Sequence, residues 1–238
     1  MIRTRIEIPL DDLRLALSRD GYYVVDSLLD LSTCNSIARR LEAMSEENPD
    51  SKTLVPDPYF DDFIVHPRII KIATAILGEH LLFHHMNGRV LKQTPIEKAW
   101  HHDYDAMYPW RRTDPIMIHI MIYPRGLASD NGPLLVLPGS HRREVDRSFP
   151  KSLGTGRLDG AVSIIVAPGT AVILNSALWH ARELPSTLPR YDLNISYCQP
   201  GMLRPERAEW NEILTHLSQK ASAGIQNLFR VDVTESTT

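Results

Sequence analysis

A mainly β fold with flanking helices, closed as a sandwich or barrel, is what the sequence predicts. Three observations predict it. Helical periodicity is confined to the first eighty residues and to a stretch near the C-terminus. From Leu81 onward, short β-branched and aromatic runs follow one another, split by Gly and Pro. The chain has 238 residues, 43% of them hydrophobic and 23% charged. A chain of that size hides about 70% of its unfolded surface, enough for one core without disulfide or metal staples. The expectation is one domain over 1–238, with a mostly helical flank (1–80), a β core (81–200) and a C-terminal helix and tail (201–238).

The elements follow in order. Asp11 to Ser18 is amphipathic, and Gly21 ends it. Tyr22 to Val25 is a short β-branched and aromatic strand. Ser32 or Thr33 caps a helix running to about Met44, with Ile37, Leu41 and Met44 on one face. Asn48 to Pro58, rich in Pro and Asp, reads as a loop. His66-Pro67 opens a helix over Arg68 to Leu77, closed by Gly78. Strands are then expected over Leu81–Lys92, Ala99–Asp103, Ile116–Tyr123, Leu134–Leu137, Val162–Val166, Thr170–Leu174 and Asp192–Tyr197. Glu206 to Leu217 reads as helical, and the tail after it is polar.

Charge and cysteine content exclude several classes. The formal net charge is -3, so no basic excess points to nucleic acid. The longest apolar run, Ala161 to Leu174, holds Pro168 and Gly169 and is too short to span a bilayer. The N-terminus has no signal-peptide core. Cys34 and Cys198 form no metal or disulfide spacing. The expected protein is cytoplasmic, binds a small-molecule substrate, and touches neither nucleic acid nor membrane. Its residues carry no signal of oligomeric state.

The chemistry lies in Trp100-His101-His102-Asp103. Side chains alternate along a strand, so His101 and Asp103 share a face and His102 takes the other. Two donors hold a metal poorly, and His180, beyond the strand ending at Leu174, is the best candidate for a third. Two histidines and one carboxylate make the facial set of non-heme Fe(II) oxygenases. Three protein ligands leave three positions of an octahedral ion for a chelating 2-oxo acid and O2. Arg190, ten residues past His180 and beyond Pro185 and Pro189, is placed to grip the far carboxylate of a dicarboxylic cosubstrate. Arg182, His102 and Tyr104 sit beside these ligands in sequence and are candidates for substrate contact. His102 reads otherwise as a residue behind the ligands or on the surface. His84 and His85 read as strand surface and core edge.

These residues carry a family resemblance. The chain resembles the phytanoyl-CoA dioxygenase family of Fe(II)/2-oxoglutarate oxygenases, segment by segment and in order: DGYYVVDSLLD, HPRIIKIATAILGEH, AWHHD, DNGPLLVLPGSHR and PGTAVILNSALWHARELPSTLPRYDLNISY. The resemblance implies a double-stranded β-helix (jelly-roll, cupin-like) core over 81–200. It implies His101, Asp103 and His180 as iron ligands and Arg190 as the 2-oxoglutarate anchor. By position it also implies cosubstrate contacts from His119, Met86 and Asn87. Asp192 stands where related oxygenases have Ser, so it either orients Arg190 or competes with the cosubstrate for it. Asp103 argues for hydroxylation-type chemistry, because related halogenases replace this carboxylate with a small residue.

The expected activity is oxidation of an unactivated C–H bond of a small metabolite, with Fe(II), 2-oxoglutarate and O2, releasing succinate and CO2. Desaturation, ring closure and epimerisation need the same residues. Two rivals stand beside it. A cupin-like isomerase or hydrolase uses the same ligands without Arg190, and titration with 2-oxoglutarate separates it. A non-catalytic homologue binds ligand without turnover, and an intact ligand set argues against it.

Overall fold

The structure, a computed structural model, describes residues 8–44, 48–92, 98–103, 114–142, 154–183 and 187–200. Tyr104 and the expected helix over 206–217 lie outside them.

Among the described residues, five helices lead the chain. α1 (Leu10–Arg19), α2 (Leu31–Ala43), α3 (Ser51–Leu54), α4 (Pro58–Ile64) and α5 (Pro67–Leu77) surround β1 (Tyr22–Val25) and precede the main run of strands. The stretch read as a loop, 48–58, holds α3 and the start of α4. The same residues that suggest a loop are helix-start signals. Asp50 accepts from the Lys52 N–H, Asp57 accepts from the Tyr59 N–H, and Pro58 occupies the first turn. The cap of α2 also lies earlier than expected, two residues before Ser32. Asp30, not Ser32 or Thr33, accepts the Thr33 N–H at 2.8 Å. His66 caps α5 through Nδ1, and Gly78 closes it with φ 87°.

Eight strands follow: β2 (Leu82–Leu91), β3 (Lys98–His101), β4 (Met117–Tyr123), β5 (Leu134–Val136), β6 (Val162–Ile164), β7 (Thr170–Asn175), β8 (His180–Arg182) and β9 (Arg190–Cys198). They form two antiparallel sheets, ordered β1-β7-β4-β9-β2 and β3-β8-β5-β6. From β2 to β9 the chain passes back and forth between the two sheets, except at β5 and β6, which pair within one sheet; this is the double-stranded β-helix arrangement. β8 has no sequence expectation, because three residues, His-Ala-Arg, carry no β-branched signal.

Strand alternation divides the larger sheet into two chemistries. Leu193, Ile195 and Tyr197 of β9, Ile118, Ile120 and Ile122 of β4, and Met86 of β2 face the helices. There they pack on Leu13, Leu17, Ile37, Phe60 and Ile69 in the main core. At about 25 cal/mol per Å², each such buried aliphatic side chain contributes on the order of 1.5–3 kcal/mol. The Tyr197 hydroxyl donates to the Ile64 carbonyl at 2.6 Å, tying α4 to the sheet. The opposite face, with Arg190, Asp192, Asn194 and Ser196, looks into the sandwich.

That interior is itself divided. At the β7 and β5–β6 side it is apolar, filled by Tyr123, Leu134, Val136, Ile164, Val172 and Leu174. At the β2–β9 and β3–β8 side it is polar and open as a cavity. Gly21, just before β1, shows how tightly the turn there packs on His141 and Leu178. It has φ +86°, and a Cβ there would lie 2.6 Å from both His141 Nδ1 and Leu178 Cδ1. Only glycine fits that conformation and that approach.

Candidate metal centre

His101 ends β3 and His180 begins β8, and the two are direct cross-strand partners. Their rings stand 4.2 Å apart, centroid to centroid. Asp103 lies just past the end of β3. Its backbone N–H donates to the Ser176 carbonyl at 2.9 Å, which pins it to the turn between β7 and β8. The Asp103 carboxylate thereby comes to 3.7 Å from His101 Nε2 and 3.5 Å from His180 Nε2. One donor atom from each of the three lies within 4.8 Å of the others.

Protonation and tautomer both suit metal binding. His101 Nδ1 lies 2.9 Å from the Ala99 carbonyl, and His180 Nδ1 lies 3.0 Å from the Leu178 carbonyl. A carbonyl only accepts, so each Nδ1 carries the hydrogen and each Nε2 keeps a lone pair. His101 Nε2 is buried without a hydrogen-bond partner among the described residues. Such an atom is costly unless something binds it. Burial pushes the His180 imidazole down to about 3 and lowers that of His101. Burial opposes ionisation of Asp103, yet the surrounding His180, His119 and His101 hold its carboxyl well below the usual range. At neutral pH the set is therefore two neutral imidazoles and one carboxylate.

A cavity of about 300 Å³ opens on this cluster, lined by Asp103 and His180 at one end and by Arg190 and Asp192 elsewhere. Arg190 is 2% exposed and Asp192 1%. Arg190 Nη1 donates to the Gly132 carbonyl at 2.6 Å, and Nη2 donates to the Tyr123 hydroxyl at 3.4 Å. Its Nε lies 3.4 Å from Asp192 Oδ2. The guanidinium has five N–H groups, so one hydrogen on each terminal nitrogen remains. Asp192, in the place of the expected Ser, thus flanks Arg190 on its Nε side.

The remaining site expectations divide. Asn87, His119 and Arg182 line the cavity. Met86 does not: it is fully buried in the helix-side core, paired with Ile195. The physical reason is alternation, since neighbours on β2 face opposite ways and Asn87 takes the cavity side. His102 also turns away, as strand alternation requires, and stands edge-on to Trp179 at 4.8 Å. Neither residue is a cavity contact.

Two features were not legible from residue spacing. His85, read as core edge, lines the cavity. It joins a chain of polar contacts: His84 Nδ1 to His85 Nδ1 at 2.7 Å, His85 Nε2 to Ser196 Oγ at 3.1 Å, and Ser196 Oγ to His119 Nδ1 at 2.7 Å. His119 Nε2 then faces Asp103 Oδ2 at 3.3 Å. Arg89 and Lys98 also line the cavity. Only the register of β2 on β9 and of β3 on β8 brings them there.

Comparison with known proteins supplies independent findings. A family model described as "Phytanoyl-CoA dioxygenase (PhyH)" matches residues 17–183, well over half of the chain. An uncharacterised Mycobacterium tuberculosis protein, Rv1501, is 27% identical over 184 residues, covering 74% of this chain and 63% of that protein. Dioxygenase cdmA of Talaromyces verruculosus is 27% identical over 192 residues, covering 69% of this chain and 64% of its own length. The chain thus matches somewhat under two thirds of the length of these relatives. Among solved structures, HygX from Streptomyces hygroscopicus, with nickel and 2-oxoglutarate bound, superposes with TM-score 0.69 at 15% identity, covering 83% of this chain and 92% of HygX. The epimerase SnoN from nogalamycin biosynthesis superposes with TM-score 0.67 at 21% identity, covering 82% and 85%. At those identities the likeness is one of fold.

Proposed function

Because the chain belongs to the phytanoyl-CoA dioxygenase family, we propose that it is a non-heme Fe(II)/2-oxoglutarate-dependent oxygenase acting on a C–H bond of a small molecule. One observation carries the reading. The donor atoms of His101, Asp103 and His180 lie within 4.8 Å of one another, at a cavity that the buried Arg190 also lines.

The residues fit ferrous iron. His101 and His180 would hold it through Nε2 and Asp103 through its carboxylate, a set that suits Fe(II) with open positions. When bound, the iron supplies O2 activation coupled to oxidative decarboxylation of 2-oxoglutarate, giving succinate and CO2. The rest falls to this chain's side chains. The Ala99 and Leu178 carbonyls fix the two imidazoles in the ligating tautomer. Arg190 receives the distal carboxylate of the cosubstrate on its free terminal N–H groups, held in place by Gly132, Tyr123 and Asp192. His119 and Asn87, on the cavity wall, contact the same cosubstrate, and His119 also orients Asp103. No general base is required. Arg182 contacts the substrate. Asp103, kept as the third ligand, argues against halogenation; among the outcomes that this residue set shares, hydroxylation is the one we assign.

The test is turnover. Purified protein with Fe(II), ascorbate and 2-oxoglutarate, given a panel of small metabolites, is expected to release succinate when its substrate is present. Asp103→Ala should abolish release. Full turnover in that variant would contradict the ligand assignment, and turnover without 2-oxoglutarate would favour the cupin-like alternative.

A further inference from the structure

Ser196 of β9 is paired directly with His85 of β2 on one side and with His119 of β4 on the other. The three side chains form a row across three strands, on the face that looks into the sandwich. Ser196 is fully buried and His119 nearly so. Polar groups in such a place cost stability unless they are paired. The row runs on to the metal ligands, where His119 Nε2 stands 3.3 Å from Asp103 Oδ2. That nitrogen is buried and makes no hydrogen bond to any other described residue.

Counting hydrogens gives the row a direction. A carboxylate that ligates a metal offers His119 only lone pairs, so Nε2 carries the hydrogen. A neutral imidazole has one ring hydrogen, which leaves Nδ1 bare. Nδ1 accepts from the Ser196 hydroxyl at 2.7 Å. That uses the single hydroxyl hydrogen, and Ser196 Oγ can otherwise only accept. It accepts from Asn194 Nδ2 at 3.3 Å and from His85 Nε2 at 3.1 Å. Burial pushes the His85 imidazole well below its ordinary value, so His85 also has one ring hydrogen, on Nε2. Its Nδ1 accepts from His84 Nδ1 at 2.7 Å. From His84 through His85 and Ser196 to His119, the donors all point toward Asp103. The reverse direction would set a bare His119 Nε2 against the carboxylate.

We infer that Ser196 and His85 are positioning residues of the metal centre, holding His119 in the one tautomer that presents an N–H to Asp103 and so keeping the ligating carboxylate in one orientation. This rests on the oxygenase reading above and deepens it. Groups that orient a metal ligand through a hydrogen bond typically account for about 10–100-fold in metal affinity. Packing alone would be met by apolar side chains, without the cost of burying a hydroxyl and two imidazoles.

The experiment reads the tautomers directly. Histidine ring nitrogens are isotope-labelled, and their NMR spectra are recorded on the full chain without metal and with Zn(II), a diamagnetic stand-in for Fe(II). His85→Gln and His119→Gln assign the resonances. In the wild-type protein His119 and His85 should each show a hydrogen on Nε2 and a bare Nδ1. Ser196→Ala should move part of the His119 hydrogen to Nδ1, and it should weaken Zn(II) binding, measured by calorimetry, at least about tenfold. His85→Phe should act in the same direction. Ser196→Thr, which keeps the hydroxyl, should retain both the wild-type tautomer and the wild-type affinity. A hydrogen on His119 Nδ1 in the wild-type protein overturns the inference, whether or not the variants fold. So does a Ser196→Ala protein with unchanged Zn(II) affinity, or one that loses affinity while the His119 tautomer stays as it was, since the role would then be structural. If Zn(II) leaves the His101 and His180 resonances unmoved while His119 and His85 show the expected tautomers, the oxygenase reading fails and the direction of the hydrogen bonds stands.

Discussion

Replacing Arg190 with methionine removes the guanidinium that faces Asp192 in a nearly closed part of the cavity wall. Asp192 is 1% exposed, and among the described residues Arg89 remains beside it, 3.9 Å away. Breaking a buried ion pair by deleting one partner costs about 3–5 kcal/mol, because the other charge is stranded. Arg89 retains part of the compensation, so a loss of about 3 kcal/mol is expected. For a chain of this size each 1 kcal/mol moves Tm by about 2–4 °C, which gives a fall of about 6–12 °C. The double variant Arg190→Met/Asp192→Asn no longer strands a charge and should recover most of that loss. It should not recover the cosubstrate. The lost charge-assisted hydrogen bonds are worth about 1.5–3 kcal/mol, so 2-oxoglutarate affinity should stay at least about tenfold below wild type. Urea unfolding monitored by fluorescence gives the first quantity, and calorimetric titration of 2-oxoglutarate gives the second. A single variant as stable as wild type would refute the charge argument. A double variant with unimpaired 2-oxoglutarate binding would remove Arg190 from the cosubstrate site.

Two further predictions concern the scaffold. Asp30→Ala should cost about 1 kcal/mol through loss of the α2 cap. The Asp30 carboxyl is lowered to about 2, first by its bond from Ser32 and then by the Thr33 N–H. A depressed carboxyl contributes stability that is complete above its unfolded value, near 3.9, and is lost as pH falls toward 2. The wild-type advantage over Asp30→Ala should therefore shrink across that window and vanish below it, and equal advantages at pH 6 and pH 2 would contradict the cap. Gly21→Ala should lower stability by more than about 1 kcal/mol, from the left-handed φ of +86° alone. Thermal unfolding checks it, and a neutral substitution would contradict a left-handed backbone at position 21.

How much of this was legible in the sequence depends on whether the signal is local. The His-x-Asp spacing, the distant His180 and Arg190 were readable, because residue type and order restrict what they can do. β1 and the later strands were readable, because β-branched runs punctuated by Gly and Pro have few alternatives. Local signals misled where one residue type serves two purposes. Asp50 and Asp57 look like loop residues and act as caps. Met86 and Asn87 are adjacent, and choosing which one faces the cavity needs the sheet's orientation and the irregularity between Phe83 and His85. The polar contacts from His85 through Ser196 to His119 join three strands, β2, β9 and β4. No spacing within one segment announces them.

The most direct measurement of the proposed centre is anaerobic titration of the Fe(II) protein with 2-oxoglutarate, followed by visible absorption. One iron per chain and a weak charge-transfer band that saturates at one equivalent of keto acid are expected, with the band absent in His180→Ala. No band in the wild-type protein, or a band undiminished in His180→Ala, would contradict a ferrous centre built from these three side chains.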